Sequence, residues 1–596
     1  MRGGRMIAGE KPAKGMFKKS LVKLLKYCKK YYGVMILAIL LGVVSVVCQI
    51  LSPSKIGDLT EVITGGIMSG TPIDLDRVTS LALLILTLAL IMAVFNYFQQ
   101  FIMATATQKI VYNFRRDISF KINKLPLKYF DTHLYGDTLS RVTNDVDTIG
   151  QSLNQSIASL FSNVILFIGV VIAMFVTQWI MAFTVIVATI IGFMIMLIFL
   201  TKSQKYFNMQ QKDLGDLEAH IEEVYSGHNV VKLFNAEKNE GEEFQKINKK
   251  LYRSAWKSQF LSGSMMPSMN FVGNFAFVAV CVVGAILATN NIIGLGPIAT
   301  FMIYARMFTN PLSQIAQSLT SLQSTSAASN RVFEFLEENE LEDESNKTLK
   351  LENVKGNIDF EHVKFGYNKD KVIIHDFSVS VKAGQKVAIV GPTGAGKTTL
   401  VNLLMKFYEI VDGDIKIDGT SIKDLTRENI HDLFGMVLQD TWLFQGTIKE
   451  NLRYNKEKVT DEQIIEACKS VGVDHFIQTL SNGYDTVVDD TVNLSAGQKQ
   501  LLTIARTMVA NNPMLILDEA TSSVDTRTEE LIQKAMDKLM ENRTSFIIAH
   551  RLSTIKNADI ILVLKDGDVI EKGNHEELMA KGGFYADLYN SQFSES

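Results

Sequence analysis

Every uncharged run long enough to cross a bilayer lies before residue 331 of this 596-residue chain, and none lies after it. A helix needs about 20 apolar residues to span the hydrocarbon. Tyr31 to Ser54 supplies one span and Val78 to Gln108 a second. Thr148 to Thr201 is too long for one helix and is expected to fold back at Thr177-Gln178-Trp179. From Ser258 to Asn330 the only charge is Arg306, and Asn290-Asn291 with Gly294-Leu295-Gly296-Pro297 divides that run in two. The pattern predicts six spans followed by a soluble half. A single soluble enzyme and a disordered chain are both excluded by it, and four scattered cysteines exclude a disulfide scaffold. Cys28, Cys48, Cys281 and Cys468 form no CxxC pair, so neither a zinc site nor a redox motif is expected. The net charge of -3 favours no nucleic-acid partner.

The first thirty residues carry ten Lys/Arg against Glu10, and the loops Lys109–Arg141 and Lys202–Lys257 are long and rich in Lys/Arg, whereas the turns at 177–179 and 290–297 are uncharged. This asymmetry predicts that both ends are cytoplasmic in a plasma or bacterial-type inner membrane. Phe17, Leu21, Leu24, Leu25 and Cys28 share one helical face, as in an elbow helix lying on the bilayer surface. The expected layout is a basic tail and elbow over 1–30, a transmembrane domain over 31–330, a charged linker over 331–355 and a cytosolic domain over 356–596. Both basic loops continue helical periodicity around polar breaks, at Phe130–Asp137 and Tyr225–Asn229, and either break could present a short helix to a cytosolic domain. Arg306 lies near mid-membrane, where an ionisable group normally faces a cavity or a partner; Asn310 and Gln314 are candidate acceptors. Asn96, Gln99, Asn163, Asn270 and Asn274 are candidates for cavity lining or interhelical bonding. No Asp or Glu lies inside a span, which argues against a proton relay.

In the soluble half, the apolar run Lys386-Val-Ala-Ile-Val390 reads as a buried strand, followed by Gly391-Pro392-Thr393-Gly394-Ala395-Gly396-Lys397-Thr398 and a helix from Thr399. Glycines at this spacing let backbone N–H groups wrap a polyphosphate at a helix N-terminus, with Lys397 on the β- and γ-phosphates and the Thr398 hydroxyl on Mg²⁺. Met514–Asp518 reads as a second buried strand, ending in two acids. Asp518 is expected to hold Mg²⁺ and Glu519 to orient or deprotonate the attacking water.

These motifs, with Leu494-Ser495-Ala496-Gly497-Gln498 between them, resemble the ATP-binding-cassette exporters, specifically half-transporters with six spans and one α/β phosphate-loop ATPase domain. The resemblance covers nearly the whole chain and implies further roles. Tyr367 would stack on adenine, Gln439 would contact Mg²⁺ and sense the γ-phosphate, Asp525 would couple the two sites, and His550 would touch the γ-phosphate. Ser495, Gly497 and Gln498 of one copy would close over ATP held by another, so the chain is expected to pair. The resemblance departs at Ala496 in place of the second signature glycine, at Ser522-Ser523-Val524-Asp525, and at the shortened stretch Val488–Asn493. A methyl where backbone must approach phosphate favours a heterodimer over a homodimer. The expected activity is ATP-driven export of amphipathic small molecules through alternating access, with a lipid flippase or peptide exporter as alternatives. An importer on the same fold and an ATP-gated regulator without transport are the rivals.

Overall fold

The computed structural model describes residues 16–368, 371–489, 494–518, 525–548 and 555–593. The chain divides into two compact units. One comprises the chain up to Asn123 with Leu134–Glu338, and the other comprises Lys124–His133 with the chain from Asn339 onward.

The first unit is helical: α1 (Met16–Tyr27), α2 (Tyr32–Ser69), α3 (Leu75–Ile122), then α5 (Tyr135–Ser140), α6 (Val146–Ser152), α7 (Ala158–Thr177), α8 (Trp179–Ser226), α9 (His228–Leu233), α10 (Glu237–Gly263), α11 (Met265–Thr289) and α12 (Leu295–Leu336). The helix α4 (Leu127–Thr132) belongs to the other unit. The predicted spans fall on α2, α3, α7, α8, α11 and α12. Among the described residues, four helical runs are long and apolar enough to cross a membrane, namely Phe17–Ser69, Leu75–Ile122, Tyr135–Thr177 and Asn270–Thr289, and Trp179–Gly192 is a shorter apolar run. The first half of α12 is more polar, carrying Thr300, Arg306, Thr309, Asn310 and Gln314.

Local sequence sets the turns. α2 ends on Gly70 in the left-handed conformation, and Asp74 caps α3 by accepting from the Arg77 backbone N–H at 3.0 Å. α7 and α8 are separated by one extended residue, Gln178, where the fold-back was expected. α2 and α12 approach closely at Gly57, where an added Cβ would lie 2.0 Å from the Thr300 hydroxyl. The Tyr304 hydroxyl donates to the Ile50 carbonyl at 3.0 Å in the same crossing. From Tyr135 to Thr177 the helix is almost continuous, but π-helical turns interrupt it at Arg141–Asp145 and Leu153–Ile157. Asp145, buried in the first of these, is paired with Arg331, whose Nε donates at 2.8 Å.

The second unit is α/β. Its main sheet has the order β12-β11-β3-β10-β9-β6, from β3 (Lys386–Val390), β6 (Phe434–Val437), β9 (Met514–Asp518), β10 (Thr544–Ile548), β11 (Ile560–Lys565) and β12 (Asp568–Gly573). All neighbours are parallel except β11 and β12. A smaller antiparallel sheet holds β1 (Ile358–Phe365), β2 (Ile374–Val381), β4 (Asp412–Ile417) and β5 (Thr420–Ser421), and β7 (Gly446–Thr447) pairs with β8 (Val487–Val488). The helices are α13 (Lys397–Leu404), α14 (Arg427–Leu433), α15 (Ile448–Arg453), α16 (Asp461–Val471), α17 (Asp474–Thr479), α18 (Ala496–Ala510) and α19 (Thr526–Leu539), followed by His575–Lys581 and Phe584–Phe593. The unbroken apolar runs of β3 and β9 have a physical reason. Ala388, Val390, Leu515 and Leu517 enter one core, while Val387, Ile389, Met514 and Ile516 enter another across the sheet.

Three stretches carry more structure than their sequence announces. The linker 331–355 is not a loose tether. α12 continues to Leu336, and Glu344 is held by the buried Lys406 ammonium at 2.9 Å and by Arg427. α3 ends at Ile122 and Pro126 starts the short helix Leu127–Thr132, so the first break does present a short helix, beginning three residues before Phe130. At the second break Gly227 alone separates α8 from α9, and Asn235, in a left-handed conformation, follows α9.

Candidate functional site

Four parallel strands end side by side. Ile389 of β3 is opposite Ile548 of β10, Ile548 is opposite Asp518 of β9, and Leu517 is opposite Val437 of β6. The C-terminal edge of such a sheet is where ligands bind. Three expected groups therefore line up along it: the phosphate loop after β3, Asp518 ending β9, and the exposed Gln439 two residues past β6. Glu519 and His550 follow β9 and β10 in sequence but lie outside the described residues, as do Asp490–Asn493 and Ser522–Val524.

The loop has the shape its glycines allow. Gly391, Gly394 and Gly396 have φ of 154°, 85° and 99°. A Cβ on Gly391 would lie 2.3 Å from the Leu564 carbonyl oxygen, so no side chain fits there. Gly396 caps α13, and the helix N-terminus with the curled loop makes a nest of N–H donors that fits a polyphosphate. Pro392, Thr393, Gly394 and Thr398 are exposed, whereas Ala395, Gly396 and Thr399 are buried. The Lys397 ammonium donates to the Gly391 carbonyl at 2.7 Å and to the Pro392 carbonyl at 3.1 Å, inside the cradle. Burial lowers its pKa, and the nearby Asp518 carboxylate opposes that shift. Asp518 and Lys397 thus share one electrostatic site, with the exposed Thr398 hydroxyl beside it.

Tyr367 is half-buried. Its ring lies edge-on to Phe365 and Tyr408, and its hydroxyl is 3.3 Å from the Thr399 hydroxyl. Thr399 therefore serves the tyrosine from beneath the loop. Two residues on α4 complete this corner: the Lys128 ammonium donates to the Tyr367 carbonyl at 3.1 Å, and Asp131 accepts from the Tyr408 hydroxyl. The Tyr408 phenol is pushed well above its usual range, first by burial and then by Asp131. Tyr408 and Lys128 were not singled out by the sequence, since their partners are hundreds of residues away.

The signature segment opens α18. Ser495 is the N-cap, accepting from the Gln498 N–H at 3.2 Å, while the Gln498 side chain accepts from the Ser495 N–H at 2.8 Å. Ser495 and Ala496 are exposed and Gly497 is buried. The N–H groups of Ala496 and Gly497 lie in the first turn, where an α-helix supplies no acceptor. Asp525 likewise caps α19 through the Thr528 N–H at 3.0 Å, a bond that lowers its pKa. Arg506 of α18 reaches the segment beyond Gln439, donating to the Trp442 carbonyl at 3.1 Å and the Asn451 carbonyl at 2.7 Å.

In the helical unit, Asn96 and Gln99 line one cavity. Asn163 is satisfied within its own helix by the Ser159 carbonyl at 2.7 Å, and Asn270 and Asn274 are exposed. Arg306 is exposed with its guanidinium 5.9 Å from the centre of the Phe277 ring, so it takes an aromatic face and does not line that cavity.

A strand-bounded phosphate loop, an acid-ended strand beside it and a capped signature helix, all following a helical membrane unit, define an ATP-driven membrane transporter. Comparison with known proteins agrees: residues 35–312 match the ABC transporter transmembrane region and 374–522 match the ABC transporter ATPase. The chain belongs to the ABC transporter family, as a multi-pass membrane half-transporter with one ATP-hydrolysing domain. Half-transporters of this kind work as dimers. It is 40% identical across its whole length, and 97% of the relative's, to an uncharacterized ABC transporter ATP-binding protein of Bacillus subtilis. It is 43% identical over 88% of its length to a fatty acid ABC transporter ATP-binding/permease protein of Mycobacterium bovis, covering 83% of that protein. A probable multidrug resistance ABC transporter of Bacillus subtilis is 34% identical over 84% of this chain and 74% of its own length.

Proposed function

We propose that this chain is one half of an exporter that moves amphipathic small molecules across the plasma or inner membrane by alternating access. The membrane domain spans 31–330 and the ATPase domain occupies 356–596 on the cytoplasmic side with both termini. The reading is carried by the alignment of phosphate loop, Asp518 and Gln439 along one sheet edge, with a signature helix in the same unit.

ATP supplies a phosphoanhydride whose hydrolysis releases the closed state, and Mg²⁺ neutralises its phosphates. The backbone from Gly391 to Thr398 and Lys397 would hold the polyphosphate, with Thr398, Asp518 and Gln439 around the metal. Tyr367 would take the adenine, and Glu519 and His550 would position water and γ-phosphate. Ser495, Gly497 and Gln498 would serve the partner's nucleotide, with Asp525 linking the sites. The exposed Ala496 supports a heterodimer, because its methyl occupies the first turn of the helix that must approach phosphate.

The test is Mg-ATP hydrolysis by this chain alone in lipid, beside Glu519→Gln. Near-silence of both, with ATP still bound, is expected for a half that needs another partner. Turnover by the wild type and not by the variant would establish a competent homodimer and reject the heterodimer. Turnover that persists undiminished in Glu519→Gln would reject the catalytic assignment.

A further inference from the structure

A cavity of about 740 Å³ lies among α2, α3 and the helix continuing into α7, within the helical unit. This is the size of a drug-like ligand site. Its walls carry six side-chain amides, Gln49, Asn96, Gln99, Gln100, Asn154 and Gln155, and no Asp, Glu, Lys, Arg or His. Tyr97, Phe101 and Met103 supply apolar surface between them.

The amides are built in rather than scattered. Gly42 makes room for Gln99: a Cβ there would lie 2.7 Å from its amide nitrogen. Gln99 is only 8% exposed and donates to the Ser162 hydroxyl at 3.4 Å across the helices. Gln100 donates to Asn96 at 3.2 Å along α3. Asn154 and Gln155 sit in the π-helical turn Leu153–Ile157, a local irregularity that often marks functional positions. Only Gln99 is buried; Gln49 and Asn154 are half-buried, and Asn96, Gln100 and Gln155 are exposed around the same space, so most of the wall's amide capacity is left open to a ligand rather than used in helix packing.

We infer that this cavity recognises the polar head of the cargo, and that the cargo is a neutral amphiphile rich in amide or hydroxyl groups, neither a carboxylate nor a cation. This rests on the transporter reading above. An amide wall pairs both donors and acceptors of a neutral head, whereas an ionised head would enter without a counter-charge.

The test is equilibrium binding to the full chain in nanodiscs, without nucleotide, corrected for empty nanodiscs. Three probes share one tail: N-dodecanoylglycinamide, dodecanoate and dodecyltrimethylammonium. The neutral probe is expected to bind about tenfold more tightly than either ion, a difference of about 1.4 kcal/mol. Asn96→Leu with Gln100→Leu, both at exposed positions, should erase that preference without changing dodecanoate binding, and Gln99→Leu should do the same provided its thermal unfolding is unchanged. Equal or tighter binding of either ion, or a preference that survives the substitutions, overturns the inference. ATP-driven uptake into inverted vesicles separates the two readings. Neutral-probe binding without uptake by chain and partner would sink transport but keep the site, and uptake of dodecanoate without neutral preference would do the reverse.

Discussion

The two cytosolic breaks in the helical hairpins start from the same kind of sequence and end differently. α4 is joined to the ATPase unit: Tyr129 is buried and stacks on His133 at 4.1 Å, Lys128 holds the Tyr367 carbonyl, and Asp131 takes the Tyr408 hydroxyl. α9 buries none of its residues, and Leu233 and Phe234 are 74% and 72% exposed at its end. One short helix is satisfied within its own chain, while the other displays apolar surface that water does not favour. Half-transporters work in pairs, so apolar surface left bare on one chain is a place to test for contact with the other.

The largest effect is expected from Asp131→Arg, which sets a cation beside Lys128 and removes the acceptor of Tyr408. Transport by the assembled pair should fall at least about tenfold while ATP affinity of the chain changes less than about twofold, the scale of losing a hydrogen bond to a charged group. Equal loss of nucleotide binding would mean that α4 merely supports the ATPase fold.

Leu233→Asp with Phe234→Asp should lower coupled hydrolysis in the pair by about fivefold to eightfold yet leave the thermal unfolding of the single chain within about 1 °C, because exposed substitutions change stability by only about 0.5 kcal/mol. Loss of stability in the lone chain would show that α9 is covered internally and would collapse the contrast.

Tyr408→Phe keeps the ring and removes one hydrogen bond, of about 1 kcal/mol, so a threefold to fivefold decline in transport is expected, with ring contacts to Tyr367 retained.

The last effect is read in stability rather than in transport, and it concerns Glu344 under its Lys406 and Arg427 partners. The Glu344 carboxyl is drawn down to about 2: burial opposes its ionisation, but the Arg427 N–H and the Lys406 ammonium outweigh it. A depressed carboxylate stabilises the fold above its unfolded pKa, near 4.3, and loses that contribution as pH falls towards 2. Acid unfolding of the wild type should therefore steepen in that window, and Glu344→Gln should flatten it while costing on the order of 2 kcal/mol at neutral pH. An unchanged acid limb would remove Glu344 from the account.

The sequence made the spans, the fold-back at Gln178 and the phosphate loop readable, because each is set by local composition or by glycines with special dihedrals. The allegiance of α4 was hidden: Lys128 and Tyr367 are 239 positions apart, and Asp131 and Tyr408 are 277 apart. Glu344 looked like one more linker charge, since nothing nearby announces the buried Lys406. Of the amides only Asn96 and Gln99 stood out in the sequence, and it is the packing around Gly42 and the π turn that joins Gln49, Gln100, Asn154 and Gln155 to them around one space.

The two π-helical turns between Tyr135 and Thr177 have a consequence for phasing. Each holds one residue more than the α turn it replaces, so everything beyond it is rotated by about 100° relative to an uninterrupted helix. The helix carries two stored residues of slack, one next to the Asp145–Arg331 pair and one in the amide wall. Regularising either turn with its residue retained would swing the downstream surface of α7 by about 100°, whereas a one-residue deletion that regularised it would leave that surface on its present bearing.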